Sequence, residues 1–166
     1  MVIFGIDPSL NSCGYCAILI ENNSIKPMLY GSITHCKNDD FFTKLRTIYT
    51  IMCENIKIAK PDYVAIEETF VNVNPKTSLK LGMVRGICVS AIMNAGIAIG
   101  NIREYEPRLV KKTITGSGAA DKNQISYMIQ KIISEFIPKT DDESDAAAVA
   151  VTCYMIENSP LNRYAK

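Results

Sequence analysis

The chain has 166 residues, is 48% hydrophobic and carries a formal net charge of +1. That length and composition exclude a disordered tail and lead us to expect one domain, residues 1–166, with a substantial core. A charge so near zero argues against a uniformly basic binder of nucleic acid, but its distribution is uneven. Between Lys76 and Lys122 eight basic residues face three acidic ones, a local +5 that leaves −4 for the remainder. A solvated mix of surface charges gives such a count, and so does a polyanion site beside metal-binding carboxylates.

The opening residues, MVIFGIDPSL, lack the positive start and cleavage pattern of a secretory signal. The longest weakly charged stretch, Gly86 to Glu104, is broken by Arg103, Asn94, Gly96, Gly100 and Asn101, so it reads as a core helix and a turn and not as a membrane span. Six cysteines lie scattered in apolar segments, which suits reduced thiols in a cytoplasmic protein. The C-x-x-C at Cys13 and Cys16 is followed by AILI, a strand-like run, where a redox pair should open a helix. No second such pair completes a zinc site, and His35 is the only histidine.

In chain order, VIFGID, YCAILI and IKPMLYGSI are apolar runs broken by DPSLNSCG and ENNS, which predicts a three-stranded antiparallel meander. From about Asp39 the period becomes helical, with Phe42, Leu45, Ile48, Met52 and Ile56 on one side until Pro61. PDYVAIE then predicts a strand buried on both faces and parallel to the first. A polar loop, ETFVNVNPKTS, leads into a long helix over SLKLGMVRGICVSAIMNAG, and IAIGNIREY predicts the last strand. A short helix from Pro107 to Gly116, an amphipathic helix over KNQISYMIQKIISEF and an Ala-rich helix over TDDESDAAAVAVTCYMIEN complete the chain. This order predicts an α/β fold of the ribonuclease H-like class, a five-stranded mixed sheet flanked by helices.

Four acids stand where an acid is locally out of place. Asp7 ends a central strand, with Pro8 blocking the ladder, and an Asx turn is its plain structural alternative. Glu67 ends the fourth strand, so parallel neighbours ~4.8 Å apart would bring both carboxylates to one sheet edge. Glu68, of opposite pleat direction, should point away. Thr140 and Glu143 spell a capping box, which accounts for the acids of the first turn but not for Asp145. Asp142 and Asp145 share a helix side with Val149, Cys153 and Ile156, the side that should face the sheet. Four carboxylates without His or Cys make a hard, all-oxygen site suited to Mg²⁺, with Mn²⁺ able to substitute, and to phosphoryl chemistry driven by two ions.

GIDPSLNSCGY, PDYVAIEETF, SLKLGMVRG and DDESDAAAVA, in this order and spacing, resemble the RuvC-type Holliday junction resolvases of bacteria, from Ile3 to about Met155. The resemblance implies a ribonuclease H-like fold and a Mg²⁺-dependent endonuclease. It also implies a homodimer that nicks four-way junction DNA symmetrically, and branch-migration motor proteins of the RuvA and RuvB type as partners. The family's catalytic, metal-holding acids fall on Asp7, Glu67, Asp142 and Asp145, its junction-contacting aromatic on Phe70, and its functional lysines on Lys111 and Lys122. Lys112 and Arg85 join them as candidate DNA contacts. Ser9 departs from the pattern, standing where a glycine often follows the proline. Small residues of the long helix, Gly82, Gly86, Ala91 and Gly96, mark a candidate dimer interface or ordinary core packing. The competing expectations are a nuclease acting on RNA–DNA hybrids and a junction-binding protein without turnover.

Overall fold

The computed structural model describes residues 1–69 and 74–159. Three strands open the chain: β1 (Val2–Asp7), β2 (Ser12–Glu21) and β3 (Ser24–Thr34), antiparallel in turn as the meander predicts. Asn22 and Asn23, both at positive φ, make the two-residue hairpin turn that matches strand twist. The register slips between Ala17 and Ile18, so Met28 is the extra residue of a bulge beside Pro27. Pro27 lacks an N–H, and the outer position of β3 tolerates that.

Helix α1 (Phe41–Ala59) is capped by the Asp40 carboxylate and ends at Lys60, in the left-handed region before Pro61. Leu45, Ile48, Met52 and Ile56 are buried as their spacing predicts. Phe42 is not: its side chain is 73% exposed, and Phe41 takes the packing position one residue earlier. β4 (Tyr63–Glu67) then lies parallel to β1, and β5 (Ile102–Tyr105) parallel to β4, giving the order β3-β2-β1-β4-β5. β5 is shorter than IAIGNIREY suggests, because Ile99–Asn101 forms a 3₁₀ turn before it.

Helices α1 and α2 (Pro75–Asn94) cover one face of the sheet with a core of Phe4, Ile6, Ile48, Met52, Ile66 and Ile92. Helices α3 (Pro107–Thr115), α4 (Lys122–Ile132) and α5 (Asp141–Glu157) cover the other. α4 ends four residues before Phe136, earlier than its sequence pattern suggests, since the chain turns at Glu135 and the Ser134 N–H donates to the Ile25 carbonyl. Three residues apart on a strand, Cys13 and Cys16 point to opposite faces, Cys13 toward Cys88 of α2 and Cys16 toward α5, so they share no redox or metal site.

The position of α5 rests on missing side chains. A Cβ on Gly5 would collide with the Ala146 carbonyl oxygen and the Ala150 nitrogen, and one on Gly14 with the Asp142 carbonyl. Two glycines on adjacent strands, with an alanine-rich helix above them, thus let backbone rest on backbone. Gly14 pairs with Asp7 in the β1–β2 ladder. Seating Asp142 over Gly14 therefore seats it beside Asp7.

Candidate active site

The site is built from the ends of three elements. β1 and β4 run parallel with Ile6 paired to Ile66, so Asp7 and Glu67 are the next residues out at the same sheet edge. The N-terminal end of α5, laid across Gly14, supplies Asp142 from its first turn and Asp145 from the start of its second. All four acids line one open cleft of about 310 Å³. Its far wall comes from Pro107, Val110 and Lys111 of α3 and from Lys122 and Ile125 of α4, with Ser9 and Ala148 completing the lining.

Lys122 sits at the first position of α4, where the helix dipole disfavours a cation. Its ammonium compensates by reaching toward Asp145, at 3.3 Å, and Asp141, at 4.0 Å. Burial alone would depress this lysine, but Asp145 and its neighbours hold it above the usual ammonium range. The Asp121 side chain closes a capping box with Gln124, which fixes the turn that carries Lys122. Thr140 caps α5 by accepting from the Glu143 N–H at 3.3 Å, but the buried Glu143 carboxylate reaches past the cap to accept from the Lys139 N–H at 2.6 Å. The box predicted from sequence is thus only half formed.

The carboxylates register one another. Burial, then Asp145 and Asp142, push Asp7 up to about 7 against the pull of Lys122. Burial, then Asp7 and Asp145, push Glu67 up to about 8, opposed by Lys111 and Lys122. Asp145 is also raised, by burial first, with Lys122 acting against it. Half-buried acids that raise one another need positive charge. Their all-oxygen donor set, with no histidine or thiol in the cleft lining, fits a hard divalent cation. Among the described residues no three His, Cys, Asp or Glu side chains stand close enough together to enclose one ion.

The remaining sequence candidates fall elsewhere. Lys112 is exposed and outside the cleft lining. Arg85, on α2, is paired at 2.5 Å with Glu104 of β5. Phe70 lies outside the described residues. Glu68 does not line the cleft, and its N–H donates to the Tyr105 carbonyl at 2.9 Å. Gly82 and Gly86 face open space beside exposed Leu79 and Met83, but Ala91 is buried in the core and Gly96 lies in the turn after α2. Sequence reasoning missed Gly5 and Gly14, for which the signal was a glycine inside each of two apolar strands.

Fold and cleft together define a class: ribonuclease H-like proteins that gather carboxylates at one edge of a mixed sheet. The model of the family described as crossover junction endodeoxyribonuclease RuvC matches residues 3–153. The chain is 39% identical to the RuvC of Caldanaerobacter subterraneus subsp. tengcongensis over 164 residues, 98% of this chain and 97% of that one. It is 40% identical to that of Rickettsia bellii over 159 residues, 95% and 99% of the two chains. The Thermus thermophilus RuvC structure superposes with a TM-score of 0.81 at 23% identity, covering 95% of this chain and 96% of that one. The same protein in complex with a Holliday junction substrate gives 0.81 at 24% identity, covering 92% of each. The chain belongs to the RuvC family of crossover junction endodeoxyribonucleases.

Proposed function

We propose that this protein resolves four-way DNA junctions by paired, symmetric nicks, with Asp7, Glu67, Asp142 and Asp145 holding the divalent cations on which hydrolysis depends. The observation that carries the reading is the shared cleft: acids from β1, β4 and α5 that raise one another's affinity for protons, facing lysines from α3 and α4. Mg²⁺ is the expected ion, two per site, and Mn²⁺ its substitute, since carboxylate oxygens offer no soft ligand. When bound, such ions supply charge neutralisation, water activation and stabilisation of the leaving oxygen. The chain's own groups do the rest. Lys111 and Lys122 draw the phosphate in against the acids and offset its negative charge. The apolar rim of Pro107, Val110 and Ile125 restricts water around it.

Two nicks in a symmetric substrate call for two clefts, which a twofold homodimer supplies. Support comes from α2, whose exposed side carries Leu79, Met83, Gly82 and Gly86 with nothing against the glycines. Lys112, Arg85 and Phe70 are the DNA contacts proposed beyond the cleft, and motor proteins of branch migration the proposed partners. Among the described residues no helix is long and apolar enough to cross a membrane.

The test is a nicking assay on a synthetic mobile junction with Mg²⁺, with and without chelator, beside an RNA–DNA hybrid. Paired cuts at symmetric positions on the junction alone, abolished by chelator, are expected. Cleavage of the hybrid alone, or binding without cuts, would assign the cleft to one of the two competing activities.

A further inference from the structure

The cleft holds one polar side chain that the reading above leaves without a task. Of the groups that line it, four are acids, two are lysines and four are apolar; Ser9 is the one uncharged hydrogen-bonding side chain. It stands two residues beyond Asp7 and shares the cleft lining with Lys111 of α3 and Lys122 of α4. The residue before it, Pro8, is buried, and Cys13 at the start of β2 is buried against Cys88 of α2, their sulfurs 3.9 Å apart. Ser9 itself is part-buried, and among the described residues its hydroxyl has no hydrogen-bond partner.

An unpartnered hydroxyl in the lining of a polyanion cleft has a restricted use. A phosphate diester offers acceptors only, so a neutral O–H can donate to it without adding charge. The lysines act on the phosphate as charges, and a directional neutral donor in the same lining would fix its rotation, which charge alone does not. We propose that the Ser9 hydroxyl is a substrate contact, donating a hydrogen bond to a non-bridging oxygen of the DNA phosphate that is cut. The inference rests on the endonuclease reading and adds to it a residue that orients the reacting group.

The test is single-turnover junction cleavage at saturating protein, which reads the step after binding, with melting temperature recorded for each variant. Ser9→Ala and Ser9→Gly should each slow cleavage about tenfold to a hundredfold, the range for a hydrogen bond to a charged acceptor, at unchanged melting temperature. Ser9→Thr, which keeps the hydroxyl, should recover most of the rate. Replacing one non-bridging oxygen of the scissile phosphate by sulfur should slow the wild type more than Ser9→Ala for one diastereomer, since the contact is already lost in the variant. Ser9→Ala cutting as fast as wild type, or a sulfur effect equal in both proteins for both diastereomers, would overturn the contact and leave the function intact. A wild-type protein that leaves the junction uncut would overturn the function, and this inference with it.

Discussion

The two faces of the sheet are packed by opposite rules. Under α1 and α2 the core is made of large aliphatic and aromatic side chains, Phe4, Ile6, Ile48, Met52, Ile66 and Ile92, and separation between backbones is filled by volume. Under α5 the contact is Gly5 and Gly14 against an alanine-rich helix, where the helix carbonyls rest almost on the strands. The difference explains where the acids are. A helix held off by bulky residues would carry its first-turn carboxylates away from the strand ends, whereas a helix resting on glycine delivers Asp142 beside Asp7. Close packing on this face serves geometry, and volume on the other serves stability.

Exchanging those rules should give the largest effects. Gly14→Val should destroy the cleft and cost about 3 kcal/mol or more, seen as a melting temperature lower by roughly 10 °C, because the new side chain has only α5 backbone to move into. On the other face Met52→Ala should lower stability similarly, by about 2 to 5 kcal/mol, through the opposite cause, an empty volume, while nicking per folded molecule persists. A Gly14→Val protein as stable and active as wild type would remove the contrast.

Next in size is the charge within the cleft. Asp7→Asn should reduce nicking at least about a thousandfold while junction binding holds or tightens, and should raise the melting temperature of the metal-free protein by removing a buried charge and its repulsion of Glu67 and Asp145. The pH dependence follows from the same burial and repulsion. Both acids take up protons more readily folded than unfolded, so between about pH 4 and pH 8 the native state holds more protons. Stability of the metal-free protein should therefore fall as pH rises through that window, by on the order of a few kcal/mol. Thermal unfolding in chelator from pH 4 to pH 9 checks the sign. Added Mg²⁺ should restore more stability at pH 8 than at pH 5, and Asp7→Asn should flatten the slope.

The smallest effects separate neighbours on α3. Lys111 lines the cleft and Lys112 is exposed outside it. Lys111→Ala should lower the cleavage rate about tenfold. Lys112→Ala should leave the rate unchanged and reduce the salt dependence of junction binding by about one unit of slope. Equal losses from both would mean that the cleft boundary on α3 is misplaced.

Asp7 and Glu67 were legible in the sequence because a carboxylate at the end of an apolar run contradicts its surroundings, and Asp142 and Asp145 because they share the helix side with Val149, Cys153 and Ile156. The parallel pairing that brings the first two together followed from the strand, helix, strand order. What could not be read was tertiary. Gly5 and Gly14 lie in strands whose pattern says nothing of a helix carbonyl above them. The choice between Phe41 and Phe42 at the start of α1 turns on a rotation of one residue, which periodicity alone does not fix. The cap at Thr140 was visible, but the buried Glu143 carboxylate prefers the N–H of Lys139, one residue beyond the motif. Ser9 was visible only as a departure from a pattern, because its place in the same cleft as the acids and lysines is set by the fold.

The central claim is that carboxylates from β1, β4 and α5 form one pocket completed by divalent cations. A crystal of the protein grown with Mn²⁺, with anomalous scattering recorded at the manganese edge, tests it most directly. Strong peaks within about 2.5 Å of carboxylate oxygens of Asp7 and of at least two among Glu67, Asp142 and Asp145 are predicted. A cleft without anomalous density at saturating Mn²⁺, or manganese bound only at other acids, would contradict the account.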